Sequence, residues 1–348
     1  MNDKASLLCH VNLANGFRGG ERQTLLLLHA LAEKGFKQKL IVRKGSELSA
    51  RSESITGIDI IETNSFAFNS FLGPSEEMLF HFHDSRSFPM VYLNGLFKSM
   101  NYIYTRRVQR IPKVNFISKQ IYKDAMKVVC LSSSIENIVK ETFGESIDSM
   151  IIPSAYTGFD HDPEKSLQIR EGIKQKFIVG HIGALDDSHK GQLDIIKLAR
   201  KAKSSGLDIG FVLVGSGRDE PMLKKESEDL DNLFFTGQVE NVGDYLTAFD
   251  VFIFPSRHEG LGSSLIDAIH FGLPVIARDV GGISDIIQHG INGFLVSDPD
   301  PDFFTPLAEL YDNESKRQII SQANLEKSKI FSIERMTESY ISLYNQQS

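Results

Sequence analysis

The sequence predicts an α/β protein made of two doubly wound, Rossmann-like lobes facing a central cleft. Its 348 residues exceed what most single hydrophobic cores hold. Short apolar runs alternate with segments of helical period, the signature of βαβ units and a mostly parallel sheet. Midway, the series breaks at a polar, proline-containing stretch and starts afresh. Two such lobes would turn the carboxyl ends of both sheets, where ligands of open α/β sheets bind, onto one crevice.

In chain order, the first half offers strands at SLLCHVNL, QKLIVRK, GIDIIET, MLFHFHD and KVVCLSS. Between the first two, ERQTLLLLHALAEKG repeats leucine at helical spacing and stops at Gly35, a suitable C-terminal cap. The polar stretch 155–175 reads as a hinge. A second series begins near Phe177: KFIVGHIGA, DIGFVLVGSG, NLFFTGQV, DVFIFPS, PVIARDV and NGFLV. From Asp302 the pattern is helical only and ends in SIERMTESYISLYNQQS, expected to pack back toward the first lobe. The expected division is 1–158 for the first lobe, on the acceptor side of the reaction reached below, 159–330 for the second, on the donor side, and 331–348 for the returning helix.

Composition narrows the function. A net charge of -7 argues against general nucleic-acid binding, which needs a basic footprint. One region runs the other way. From Lys98 to Lys127, eight basic residues stand against the single acid Asp124, with Tyr102, Tyr104, Phe116 and Tyr122 interleaved. A solvated helix face and contact with anionic lipid or a phosphorylated glycan both account for this. Cys9 and Cys130 fall in expected strands and read as buried, reduced thiols. The opening apolar run is far too short for a signal peptide, and no stretch approaches the roughly 20 apolar residues of a membrane span. The expectation is a cytoplasmic protein, at most peripheral at the inner face of the cytoplasmic membrane.

The most informative segment is FPSRHEGLGSSLIDAIHFGLPVIA, residues 254–277, where a buried strand enters a glycine loop and then a helix. Gly260 and Gly262 let backbone amides approach a ligand, and the helix adds unsatisfied N–H groups and a positive dipole end suited to a phosphate. Glu259 precedes the helix and Asp267 lies more than a turn inside it, so both are candidate hydroxyl acceptors. Spacing alone equally permits a loop acid and a helix-surface acid, because a lone glycine loop before a helix is common.

The segment resembles the E-x7-E region of the retaining GT-B glycosyltransferases of family 4, the glycosyl transferases group 1, whose pattern reads roughly EGFG-x3-LEA-x2-G-x-PV; here it stands as EGLGSSLIDAIHFGLPV. Further landmarks follow in family order: RGGERQTLLLLHALAEKGF, HFHDSR at 81–86, HKGQLDIIKLA at 189–199, VLVGSG at 212–217, FTGQV at 235–239 and GGISDIIQHGINGFLV at 281–296. The resemblance implies a GT-B fold and a metal-independent hexosyltransferase that retains anomeric configuration, with a UDP- or GDP-sugar as co-substrate and no cofactor. It implies that Glu259 contacts the transferred sugar, Asp267 the ribose, and Lys190 the diphosphate beside the amides of Gly260, Leu261 and Gly262, with Gly215 also on the donor side. In the first lobe it implies that Gly19 and Gly20 approach the donor phosphate and acceptor, and that His81 and His83 form a cleft wall or acceptor contact. Two histidines on one strand face also suggest a metal, but the resemblance favours none. The acceptor it implies is a glycan or glycolipid, as in lipopolysaccharide or other cell-envelope polysaccharide synthesis.

Three departures stand out. The second acid of the pattern is the shorter Asp267. The arginine of the family's GRL-x3-KG pattern is Ala184 in GALDDSHKG, which makes Arg218 and Arg257 candidates to replace it. Where many members place a histidine, YTRRVQR puts Arg106 at or near that position; an arginine stays protonated and cannot act as a base, which makes Arg106 or Arg107 a candidate to bind a phosphorylated acceptor or steady the donor. A non-catalytic nucleotide-sugar-binding subunit and a sugar-nucleotide epimerase of the same shape are the competing readings. A dehydrogenase is disfavoured because neither NGFRGGERQ nor GSGRDE completes G-x-G-x-x-G.

Overall fold

A computed structural model of the chain describes residues 7–64, 78–95 and 100–346, and these divide into two units. The first comprises 1–157 and 331–348, the second 158–330. Each holds one parallel sheet flanked by helices.

In the first unit, β1 (Leu7–Asn12), β2 (Gln38–Arg43), β3 (Ile58–Thr63), β4 (Met78–Phe82), β5 (Tyr102–Arg106), β6 (Lys127–Cys130) and β7 (Ser149–Ile151) form a seven-stranded sheet in the order β3-β2-β1-β4-β5-β6-β7. Strand order therefore reverses direction between β1 and β4, which pair in parallel with His10 opposite His81. The leucine-rich helix runs Gly19–Glu33, with Gly35 in the left-handed region at φ 80°. The helix Ile333–Gln346 lies against it and completes a core of Leu8, Leu27, Leu31, Ile103, Tyr340, Leu343 and Tyr344. Burying these aliphatic and aromatic faces on one sheet is the main stabilising term of the unit.

Strand β5 escaped the sequence reading, because YIYTR opens a tract whose charge marks it as surface. Burial explains how it fits: all five residues are buried, and their side chains alternate across the sheet. Cys9 and Cys130 are buried thiols, each pushed up to about 12 by burial, which leaves them unreactive.

In the second unit, β8 (Phe177–Ile182), β9 (Ile209–Val214), β10 (Leu233–Gly237), β11 (Val251–Phe254), β12 (Val275–Arg278) and β13 (Gly293–Val296) are ordered β10-β9-β8-β11-β12-β13, all parallel, with the reversal between β8 and β11. Both central strands are almost wholly buried and, apart from His181 in β8, carry no polar side chain, as a sheet covered on two faces requires. The stretch read as a hinge contains a helix, Pro163–Glu171, started by Asp162, which caps two backbone amides. That helix packs on the helix Val242–Ala248, and Asp244 accepts from the Asp162 amide at 2.6 Å, so it belongs to the second unit.

Candidate functional site

In each unit the loops leaving the two strands at the reversal are where a ligand of such a sheet sits. In the second unit these are 183–191 after β8 and 255–262 after β11. They are joined backbone to backbone, the Arg257 amide donating to the His189 carbonyl at 2.8 Å. Gly191 allows this approach: its φ is 70°, and a Cβ there would lie 2.3 Å from the Pro255 carbonyl oxygen. Below, buried His181 hydrogen-bonds the Ile253 carbonyl through Nδ1 at 3.0 Å, and Gln192 donates to the Ala184 carbonyl at 2.8 Å. Nδ1 must carry the proton, and burial holds the ring neutral, its pKa lowered to about 4.

This arrangement brings Lys190 and Glu259 together. Nζ donates to Oε2 at 2.6 Å, both side chains keep some exposure, and the ammonium also lies 5.6 Å from the centre of the Phe254 ring. Three residues on, Gly262 sits at φ 96° as the N-terminal cap of the helix Ser263–His270. Only glycine adopts this conformation without strain, and the cap residue offers no side chain to the first helical amides. Gly260 is half-buried beside the pair, Leu261 is buried, and Asp267 lies one turn into the helix with little exposure.

The two candidate arginines separate. Arg218 is exposed, donates to Asp186 at 2.9 Å and to Ser188 at 2.8 Å, and so lies over the loop that carries Lys190. Gly215 and Gly217 hold its own loop there: a Cβ on either would meet the backbone oxygen of Gly183 at 2.2 Å or Leu185 at 2.4 Å. Gly215 thus has a packing reason for being glycine. Arg257 is held by acids of its own unit. Its guanidinium is engaged by Asp187 at 3.2 Å and Asp194 at 3.0 Å, and Asp194 also holds buried Arg278 at 2.6 Å.

In the first unit the corresponding loops are joined by Asp84, whose carboxylate accepts from the amides of Leu13 at 2.6 Å and Arg86 at 2.7 Å. Gly19 and Gly20 belong to the first turn of their helix rather than to a loop before it. A Cβ on Gly20 would come 3.3 Å from Arg107 Cδ. Arg107 in turn donates to His83 Nδ1 at 3.3 Å, and its buried Nε has no hydrogen-bond partner among the described residues.

Two expectations fail here, and strand alternation explains one. Arg106 points to the opposite side of β5 from Arg107, is buried, and donates to the Tyr122 hydroxyl at 2.8 Å and to the Arg110 carbonyl; it is a core contact, not an acceptor ligand. His81 is fully buried, its ring nitrogens held by the hydroxyls of Tyr344 and Thr105 at 2.7 Å each, so it forms no wall open to an acceptor. His83 is nearly buried. The side-chain nitrogens of His10, His81 and His83 come within 4.8 Å of one another, and hydrogen bonds engage most of them. Arg107 can only donate, so His83 accepts at Nδ1, carries its proton on Nε2, and donates to His10 Nδ1 at 3.0 Å. Burial holds all three rings neutral, His10 lowered to about 3. His10 is missing from the sequence reading because a histidine inside LLCHVN carries no signal of its own; only the parallel register sets it beside His81.

Two parallel, doubly wound sheets with these loops define the GT-B architecture. HepE from Anabaena, solved in complex with UDP and glucose, superposes with a TM-score of 0.79 over 98% of this chain and 100% of that one, at 16% identity. Residues 176–313, most of the second unit, match the family model described as glycosyl transferases group 1. The sequence is 29% identical over 287 residues to the uncharacterized glycosyltransferase MJ1069 of Methanocaldococcus jannaschii, covering 76% of this chain and 69% of that protein. It is 27% identical over 186 residues to the capsular polysaccharide biosynthesis glycosyltransferase CapM of Staphylococcus aureus, covering 50% of this chain and 47% of that protein. Residues 176–313 are thus similar to the group 1 glycosyl transferases, and both units share the GT-B fold. Among the described residues, no helix is long and apolar enough to cross a membrane.

Proposed function

We propose that the protein is a retaining hexosyltransferase that takes its sugar from a UDP- or GDP-sugar and passes it to a glycan or glycolipid of the cell envelope. The observation that carries this reading is the Lys190–Glu259 ion pair beside the open end of the Ser263–His270 helix. With no donor bound, the two side chains satisfy each other. A nucleotide-sugar exchanges both contacts. Its diphosphate takes the Lys190 ammonium and the helix amides, which stabilise the leaving group's charge without a metal, and its hexose hydroxyls take the Glu259 carboxylate. Asp267, one turn on, accepts from the ribose. Arg218, tethered over the Lys190 loop, supplies a second cation where Ala184 offers none.

In the first unit, Arg107 with its unpaired Nε, beside the helix that Gly19 and Gly20 open, is the phosphate contact of the acceptor side. UDP and glucose in HepE and the capsular role in CapM's name support the donor and acceptor classes. The test is a thermal-shift screen of UDP-, GDP- and ADP-sugars, followed by NMR of the product's anomeric configuration. A ligand at about 100 times its Kd adds roughly 2.7 kcal/mol to stability. Stabilisation by one donor, turnover that survives EDTA and a retained configuration are expected. Inversion or metal-dependent turnover overturns the mechanism, and donor binding without turnover points to a nucleotide-sugar-binding subunit.

A further inference from the structure

Strand β5 leads into residues 107–115, which precede the short helix Phe116–Asp124. Val108, Ile111, Val114, Phe116 and Ile117 are all exposed, between 37% and 71%. Exposed large apolar side chains are ordinary one at a time. Five within ten residues are not, since the other seven among the described residues are spread from Ile151 to Ile330.

The same segment exposes Arg110, Lys113, Lys119 and Lys123, and no acid occurs between Asp84 and Asp124. Lys98, which begins the basic tract, lies outside the described residues. Apolar residues recur at 108, 111, 114 and 117, and cations at 110, 113 and 119, so the two kinds are interleaved rather than segregated.

A floppy loop would fold such side chains under itself. This one is held from beneath. Arg106, turned into the core, binds the Arg110 carbonyl and the Tyr122 hydroxyl. Ser118 donates to the Lys113 carbonyl at 2.8 Å, Asn115 caps the helix by accepting from the Ser118 amide at 2.8 Å, and Tyr102 donates to the Ile121 carbonyl at 2.7 Å. Ile121 and Tyr122 anchor the helix's other face.

We propose that residues 108–123 are a docking element for an anionic bilayer. Ile111, Val114, Phe116 and Ile117 enter the headgroup boundary while Arg110, Lys113, Lys119 and Lys123 meet lipid phosphates. Apolar burial and attraction to anionic lipid are the two terms that hold an interfacial segment, and the segment presents both on one rigid base. The element extends the proposed function only in saying where a lipid-borne acceptor is met, and it is tested without donor or acceptor.

The chain has no tryptophan, so Phe116→Trp gives a single reporter. Its emission shifts to the blue on adding phosphatidylglycerol/phosphatidylcholine vesicles and stays put with phosphatidylcholine alone, whereas Ile319→Trp, exposed on the second unit, does not respond to either. In co-sedimentation, reversing Lys113, Lys119 and Lys123 to Glu lowers anionic-vesicle binding at least about a hundredfold, and the Ile111→Ser, Val114→Ser pair lowers it about tenfold. Circular-dichroism melts confirm that these variants fold. Three results overturn the proposal: no blue shift from Phe116→Trp with anionic vesicles at low salt, an equal shift from Ile319→Trp, or undiminished binding by the folded lysine variant. Stabilisation by a nucleotide-sugar is unchanged in these variants, so failure of either reading leaves the other standing.

Discussion

The two reversal points, β1/β4 and β8/β11, are the same construction filled with opposite chemistry. At β1/β4 three buried, neutral histidines line the sheet, and the cation beside them, Arg107, is half-covered. At β8/β11 a Lys–Glu pair stands partly open to solvent, and the histidine beneath it, His181, serves to position a loop. On the proposed reading, partial hydration of that pair is what lets a charged ligand exchange it. The other point is built from groups that remain uncharged and therefore tolerate complete burial.

Acid should separate the two points most strongly. His10, lowered to about 3, and His81 and His83, held well below the ordinary value, all lie in the first unit, whereas among the described residues of the second only His181, lowered to about 4, is shifted to this degree. Because the folded pKa values are depressed, the unfolded chain binds more protons below about 6.5. The histidines' contribution is complete above that pH and declines as pH falls toward the folded values, by about 1.4 kcal/mol per pH unit for each group. Asp84, raised by burial, acts in the opposite sense, but it is one group against three. Hydrogen–deuterium exchange between pH 7 and 5 should show β1 and β4 losing protection before β8 and β11. Equal loss in both sheets would mean that the histidines are not held neutral.

Next in size is the effect of the charged pair on catalysis. Lys190→Ala should lower kcat by about 10²–10³, corresponding to roughly 2.7–4 kcal/mol of transition-state stabilisation, with little change in melting temperature because the side chain is not in the core. Full turnover would remove Lys190 from the diphosphate site.

The glycines sharpen the comparison further. Gly191→Ala sets a methyl against the rigid Pro255 carbonyl at positive φ and should cost more than about 2 kcal/mol, read by chemical denaturation. Gly20→Ala meets only a methylene of Arg107, which can move, and should cost under about 1 kcal/mol of stability. Smallest of all, Arg218→Ala should raise donor KM several-fold without loss of stability. Arg257→Ala should do the reverse, lowering stability through Asp187 and Asp194 and leaving donor KM nearly unchanged.

Much of the second unit was legible in the sequence. Its six strands are largely apolar runs bounded by glycine, proline or polar residues, and EGLGSSLIDAIHFGLPV announces both the loop and the helix that follows. The first unit was less so. Strand β5 hid in a basic tract, and the choice between Arg106 and Arg107 depends on which face of that strand each occupies, which charge alone does not reveal. Arg257 shows the same limit: a loop arginine looks free in the sequence until Asp187 and Asp194, distant along the chain, are brought around it by the fold. Non-local pairing is what local pattern cannot supply.

The central claim is that donor binding exchanges the Lys190–Glu259 pair, and calorimetry on Glu259→Gln tests it most directly. With the carboxylate neutralised, Lys190 is released to the diphosphate. The variant should bind the bare nucleoside diphosphate about tenfold more tightly than wild type, while the additional affinity that the attached hexose gives wild type is lost and turnover falls. Unchanged or weaker diphosphate binding, with the hexose contribution intact, would contradict the account.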